Sequence, residues 1–169
     1  LAEASGTVAG PQIRNMGTIG GNIPNGATSA DTAAPMLVLE PTLVIQGPRG
    51  PRRVSIGGFH TGPGQVALSH DEVLVGFEFD LDALKGLGAC YYKYAMRAAM
   101  DITTIDCAAA VKLDGEITTD LPLALTVAAP TPVPCPKAQA PGPHQPFKHQ
   151  TFARELKQVG DAYEQSTTS

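Results

Sequence analysis

The 169-residue sequence contains no tryptophan, and aromatic residues make up only 5% of it. It has 3 cysteines, Cys90, Cys107 and Cys135, with no Cys-x-x-Cys pair. An odd, widely spaced set excludes a disulfide framework and a zinc cluster. The plain reading is three buried or idle thiols in a reducing, cytoplasmic compartment. Positive charge is short as well: 12 Lys and Arg face 16 Asp and Glu, a formal net charge of -4. That balance offers nothing to nucleic acid. No apolar run approaches the roughly 18 residues that cross a membrane. The first residues, LAEASGTVAG, have neither the basic start nor the apolar core of a secretory signal. His60, His70, His144 and His149 fall in loops or in the tail without HxH or HxxxH spacing, so no metal and no general base is assigned.

What is present is an ordinary globular balance, 43% apolar and 17% charged, with 18 Gly and 15 Pro. Such a chain turns often and can bind a ligand through main-chain groups. Residues 1 to about 84 read as one unit, and Leu84-Lys85-Gly86-Leu87-Gly88 as a break. A second unit runs from 89 to near Pro136, and an irregular, Pro-rich tail completes 89–169. In the first unit, Leu1 to Ser5 reads as the end of a helix, and GPQIRNMGTIGGNIPNGATSAD as an ordered loop. DTAAPMLVLE predicts a short helix capped by Asp31 or Thr32, with Pro35 in its first turn. TLVIQG and RRVSIG predict two strands turning at Gly47-Pro48-Arg49-Gly50, and FHTGPGQ another loop. EVLVGFEFDL predicts a strand with Val73, Val75, Phe77 and Phe79 on one face.

The second unit alternates. Tyr92, Tyr94 and Met96 face one way; Lys93, Ala95 and Arg97 face the other. Cys107, Ala109, Val111 and Leu113 alternate with Ala108, Ala110 and Lys112, and Asp114-Gly115 signals a hairpin. LPLALTVAA adds a strand with Leu121, Leu123, Leu125 and Val127 on one face. A helix around Ala98 to Ile105 is expected to back this small antiparallel sheet. Arg97 and Asp101 are expected to pair at the surface or where domains join. In the tail, TFARELKQVGDAYEQ can form a helix and STTS should fray.

The most informative stretch is Thr18-Ile19-Gly20-Gly21-Asn22. Adjacent glycines lack Cβ atoms and permit positive φ, so N–H groups can approach a bulky anion. Thr18 offers a hydroxyl and Asn22 a donor and an acceptor, as a diphosphate or ribityl chain requires. Asp31 can accept from a ligand hydroxyl. From these five residues alone, a tight turn is the plainer reading. GxGxxG after a strand and GxxxxGK[ST] are both absent, which excludes the Rossmann and P-loop readings.

QIRNMGTIGGNI followed by NGATSAD resembles the second flavin-contacting segment of the FAD subunit of xanthine-dehydrogenase-type molybdenum hydroxylases. FHTGPG, DEVLVGFEF, YYKYAMRAAMDI and VAAPTPVPC follow in that family's order and spacing, so the resemblance runs from about Ala9 to Cys135. It implies an α+β fold. Residues 1–84 would be the second part of a two-part FAD-binding domain of the vanillyl-alcohol-oxidase-like kind. Residues 89–169 would be a small C-terminal domain with an antiparallel sheet and helix.

By the same resemblance, Thr18, Ile19, Gly20, Gly21 and Asn22 would contact the FAD diphosphate and ribityl region, and Asp31 would lie near the flavin. Leu74 would lie against the cofactor and Lys93 near its ring, where a cation favours the negatively charged reduced form. Without the family, Leu74 reads as core, Lys93 as a solvated strand lysine, and Asp31 as an N-cap. The chain would carry electrons from [2Fe–2S] clusters on one partner subunit, fed by a molybdenum-cofactor subunit, through FAD to NAD. No catalytic residue is assigned. The alternatives are a flavin-free structural or assembly module, or the FAD subunit of a carbon monoxide, aldehyde or nicotinate hydroxylase. The family's other glycine loop, of the AGGT kind, precedes the residues present here. Another polypeptide or a longer sequence is expected to supply it. AQAPGPHQPFKHQ departs from the Ala- and Glu-rich helix usual at that place.

Overall fold

A computed structural model describes residues 1–114 and 117–135. Four short helices open the chain: α1 (Ala2–Gly6), α2 (Pro11–Met16), α3 (Ile19–Asn22) and α4 (Ala33–Leu39). Strands β1 (Thr42–Gly47) and β2 (Gly50–Ser55) follow, then β3 (His60–Gly62), β4 (Gln65–Val66) and β5 (Val73–Glu78). The turn α5 (Leu81–Leu84) leads to β6 (Leu87–Tyr94), β7 (Ile105–Asp114), β8 (Ile117–Asp120), β9 (Leu123–Thr126) and β10 (Val133–Pro134). All sheets are antiparallel: one in the order β2-β1-β5, one in the order β10-β9-β7-β6 with β8 on β7, and the pair β3-β4. No helix among the described residues is long and apolar enough to cross a membrane.

The first correction concerns the expected loop of residues 10–31, which contains α2 and α3. Pro11 stands at the start of α2, where its missing N–H costs nothing. The Thr18 hydroxyl accepts from the Gly21 N–H at 2.9 Å and caps α3. Gly20 and Gly21 are therefore helical; the positive-φ glycines are Gly26, Gly50, Gly64 and Gly86. The expected loop FHTGPGQ holds the small β3-β4 hairpin. Gly26 (φ 65°) lies so close to it that a Cβ would meet the Gln65 nitrogen at 2.9 Å.

The face expected for β5 is also corrected. The β1-β5 register shifts between Val44 and Ile45, so Leu74 faces Ile45, Gly76 faces Val44, and Val75 is extra. Val73 and Val75 are 62% and 59% exposed. Beyond the bulge Phe77 and Phe79 pack on the core, as does Leu74.

The hairpin β1-β2 closes with Gly47 opposite Gly50, as the turn signal predicts. The alternation of β6 also holds: Tyr92 and Tyr94 are exposed, while Tyr91 and Lys93 turn inward. The expected helix at Ala98 to Ile105 is absent. Asp101 accepts from the main-chain N–H groups of Arg97 (2.7 Å) and Ile102 (3.0 Å), which draws this segment into a compact loop. Met100 takes φ 52° within it. The Arg97 guanidinium meets the Asp101 carboxylate at 3.2 Å, the pair the sequence leads one to expect, with Arg97 exposed and Asp101 largely covered.

The helix that does back the larger sheet is α4, which lies against β7, β9 and β10. Ala33 to Val38 are all buried. A helix apolar all round needs neighbours on every side. One cluster joins Ile23, Met36, Leu43, Ile45, Ile56 and Phe59 to Ala108, Ala110 and Ala124 of the larger sheet. The other face of that sheet carries Ala109 and Leu123, with Cys107, Leu125 and Cys135 around them. Residue 115 of the Asp114-Gly115 turn, the Pro-rich tail, His144, His149 and the expected helix at 151–165 lie outside the described residues.

Candidate functional site

Two adjoining clefts frame the predicted site. The first, about 570 Å³, is walled by Gly6, Val8, Arg14, Thr18, Ile19, Gly21 and Asn22, among others. The second, about 750 Å³, runs along Tyr92, Lys93, Tyr94 and the 95–101 loop. Gly6 and Arg14 border both. Both volumes fall in the range of roughly 300–1,000 Å³ typical of ligand sites. Arg14 builds the shared wall by donating from Nη1 to the Val8 and Ala9 carbonyls, both at 2.8 Å. Ala9 is held at φ 40° there.

At the first cleft, a Cβ on Gly20 would meet nothing nearer than the Thr18 hydroxyl, at 3.9 Å, and on Gly21 the same atom at 3.3 Å. Protein packing thus does not require a glycine at position 20. The bare surface there faces outward. Thr32 donates to Asn22 Oδ1 at 2.5 Å, which ties the end of α3 to the start of α4 and fixes the Asn22 amide.

Asp31 and Lys93 meet behind the clefts. The Lys93 ammonium lies 3.1 Å from the Asp31 carboxylate, with the side chains 10% and 9% exposed. It also donates to the carbonyls of Thr7 (3.2 Å) and Asp101 (3.0 Å), so each of its three protons has an acceptor. Asp31 accepts from the Thr103 hydroxyl and from Tyr91 at 3.3 Å. Tyr91 lies 3.0 Å from Asp106, which is 1% exposed and also accepts from the Thr126 N–H at 3.2 Å. Burial pushes the Asp106 carboxyl up to about 6; hydrogen bonds from Thr126 and Tyr91 oppose the rise, and the Asp31 charge adds to it. Burial and the same two carboxylates hold the Tyr91 hydroxyl far above its ordinary value.

The structure therefore gathers Thr18, Ile19, Gly21 and Asn22 on one cleft, with Gly20 beside them, and brings Lys93 to the other. Asp31 touches neither cleft and acts on Lys93 instead; it does not cap α4. Lys93 is not the solvated lysine of the plain reading. Leu74 packs half-buried on the core and lines neither cleft. Sequence reasoning missed Arg14, Thr32, Tyr91, Thr103 and Asp106. Register was the available signal for Asp106, because Lys93 stands directly opposite it across β6 and β7.

Among the described residues, His60 and the cysteines line neither cleft. His60 lies in β3 with Nε2 3.2 Å from the Ile23 carbonyl and its ring edge-on to Phe59. Burial lowers its proton affinity. All three cysteines are free. Cys90 is exposed rather than buried, and burial pushes the Cys107 thiol up to about 12.

Residues 1–79 match the family FAD binding domain in molybdopterin dehydrogenase, and residues 90–167 match CO dehydrogenase flavoprotein C-terminal domain. The chain is 52% identical over 152 residues to the xanthine dehydrogenase FAD-binding subunit of Escherichia coli O157:H7, covering 90% of this chain and 52% of that one. It is 37% identical over 131 residues to the carbon monoxide dehydrogenase medium chain of Hydrogenophaga pseudoflava, covering 78% and 45%. Among solved structures, quinoline 2-oxidoreductase from Pseudomonas putida 86 superposes with a TM-score of 0.82 at 25% identity, covering 92% of this chain and 53% of that one. The chain spans about half the length of the curated relatives it matches.

Proposed function

The chain belongs to the family of FAD-binding domains in molybdopterin dehydrogenases, and from that premise we propose that it holds FAD along its two adjoining clefts as the electron-transfer part of a xanthine-dehydrogenase-like oxidoreductase. The observation that carries this reading is the bare surface at Gly20 beside the first cleft, where a Cβ would meet only the Thr18 hydroxyl, at 3.9 Å. Within it, Thr18 to Asn22 bind the diphosphate and ribityl region through hydroxyl, amide and main-chain groups. Lys93 presents positive charge to the ring, Asp31 positions Lys93, and Leu74 supports the site from the core. FAD supplies the ability to accept electrons and pass them on; the protein binds and orients it.

Residues 1–84 serve as the second part of the FAD domain and 89–169 as the C-terminal domain. The partners are a molybdenum-cofactor subunit and a [2Fe–2S] subunit, with NAD as acceptor and a purine as substrate. The three free thiols suit the cytoplasm. The test is Gly20→Leu in the assembled complex. Far-UV circular dichroism should stay unchanged, while extracted flavin falls at least about tenfold, a loss near 1.4 kcal/mol. Undiminished flavin would refute the cradle.

A second reading, a flavin-free structural module, is favoured by the mutual saturation of Asp31 and Lys93. Fluorescence of an extract from the wild-type complex separates the two. The similarity to carbon monoxide dehydrogenase medium chains keeps a related hydroxylase as the alternative for the substrate.

A further inference from the structure

The Asp31–Lys93 pair continues inward to groups that the flavin reading does not use. Among the described residues, a second carboxylate and a phenol lie behind it but no second cation: Asp31, Lys93, Tyr91 and Asp106 share one ammonium among two buried carboxylates. The single Tyr91 proton spans both, 3.0 Å from Asp106 and 3.3 Å from Asp31, and satisfies one at a time. Lys93 is the cross-strand neighbour of Asp106, yet its three protons go to Asp31, Thr7 and Asp101. An ionised Asp106 is thus a buried anion without a cation of its own, a costly state. Next to it, the buried Thr126 hydroxyl has no hydrogen-bond partner among the described residues; it can donate to an ionised Asp106 or accept from a protonated one, and so serves both states.

We propose that Asp106 is a positioning residue that takes up a proton inside the sheet and, through the Tyr91 hydroxyl, controls how firmly Asp31 holds Lys93 at the cleft. With Asp106 ionised, Tyr91 donates to it and the full Asp31 charge faces Lys93. With Asp106 protonated, Tyr91 turns to Asp31, and one buried negative charge behind Lys93 is gone. The second cleft then becomes more positive by one charge, which favours an anionic ligand.

The groups facing Asp106 are Tyr91 and Lys93 from β6, Asp31 from the segment before α4, and Thr126 from β9. Its neighbour Cys107 packs on the other face of the sheet, and the Asp101 carboxylate is engaged by Arg97. The transition belongs near pH 6, where burial places this carboxyl.

The consequence for the flavin rests on the proposed function; the proton itself does not. Infrared spectroscopy of the full chain in its complex, with carboxyl-labelled Asp, should show one protonated carboxyl that titrates near pH 6. It should be missing in Asp106→Asn and kept in Tyr91→Phe. In wild type the visible spectrum of the bound flavin should shift with the same midpoint, and Tyr91→Phe should shrink that shift to the part that the lost Asp106 charge produces directly. A carboxyl signal absent from wild type, or unchanged in Asp106→Asn, overturns the proposal. So does a flavin spectrum that is flat through this range while the carboxyl titrates. Should Asp106→Asn not fold, the wild-type titration together with Tyr91→Phe still decides. A complex without flavin would sink the cofactor reading alone, because the infrared titration stands apart from it.

Discussion

Replacing Lys93 with methionine keeps most of the side-chain stem and removes the charge. The carboxylate it leaves behind is 9% exposed and retains only the Thr103 and Tyr91 hydroxyls. Removing one partner of a buried pair strands the other without compensation, at a cost of about 3–5 kcal/mol. The Thr7 and Asp101 carbonyls lose their donor as well, and with it the tie between the end of α1 and the 95–104 loop. Against a total of about 5–15 kcal/mol for a typical domain, that loss is large. Urea unfolding followed by circular dichroism should show a midpoint falling in proportion, with the slope unchanged. The double variant Lys93→Met with Asp31→Asn should lose less than the sum of the two single variants, by about 1–3 kcal/mol. Arg53→Met is the control: the Arg53–Glu78 pair is 60% and 50% exposed, so its removal should be nearly silent. If Lys93→Met behaves like that control, the pair is solvated and the burial argument fails.

Two further outcomes follow from geometry outside the clefts. Gly26→Ala should destabilise by about 2–4 kcal/mol, because it combines a left-handed φ of 65° with a Cβ 2.9 Å from the Gln65 nitrogen; thermal unfolding that leaves the midpoint unchanged would contradict this. Glu72 is gripped by Arg52 through two hydrogen bonds of 2.7 Å and accepts from the Ser69 N–H, which together hold its carboxyl at about 2 instead of 4.5. Because the folded value is depressed, its stabilisation is present above about pH 4.5 and is lost as pH falls toward 2. Acid titration of Glu72→Gln should therefore show a shallower fall over that window than wild type, and identical acid limbs would refute the assignment.

Local signals in this sequence were readable and non-local ones were not. The β1-β2 hairpin followed from turn chemistry, the helix of residues 33–39 from Pro35 in its first turn although neither Asp31 nor Thr32 caps it with a side chain, and the alternation of β6 from its own residues. The single face expected for Val73, Val75, Phe77 and Phe79 is split because a bulge at Val75 depends on the register with β1, which a single strand does not encode. The helix expected at 98–105 failed because Asp101 captures main-chain N–H groups on both sides of itself, a competition invisible to propensity. Gly20 and Gly21 were singled out for the freedom to adopt positive φ, which they do not use. What they contribute is an absent Cβ beside a cleft, and that reading needs coordinates.

The same division separates the two halves of the site. The residues offered to a ligand, Thr18 to Asn22, are contiguous, so a motif suffices to find them. The residues that surround Lys93 and its carboxylates come from the end of α1, the segment before α4, β6, the 95–104 loop, β7 and β9, and its hydrogen bonds span up to 86 residues. The pairing of β6 with β7 brings Tyr91 to Asp106, and the packing of α4 onto the larger sheet sets Asp31, just before that helix, against Thr103 and Tyr91. A substitution in that interface that spares every cleft residue, such as Ala108→Leu on β7, would move the two carboxylates relative to each other. Ala108 is 2% exposed and shares the core cluster with Met36 and Leu37 of α4, so the added bulk must displace the helix or the strand. Its effect should appear in the charge of the second cleft before it appears at Gly20, because Ala108 stands opposite Tyr91 across β6 and β7, whereas α3 is tied to α4 through the Asn22–Thr32 bond.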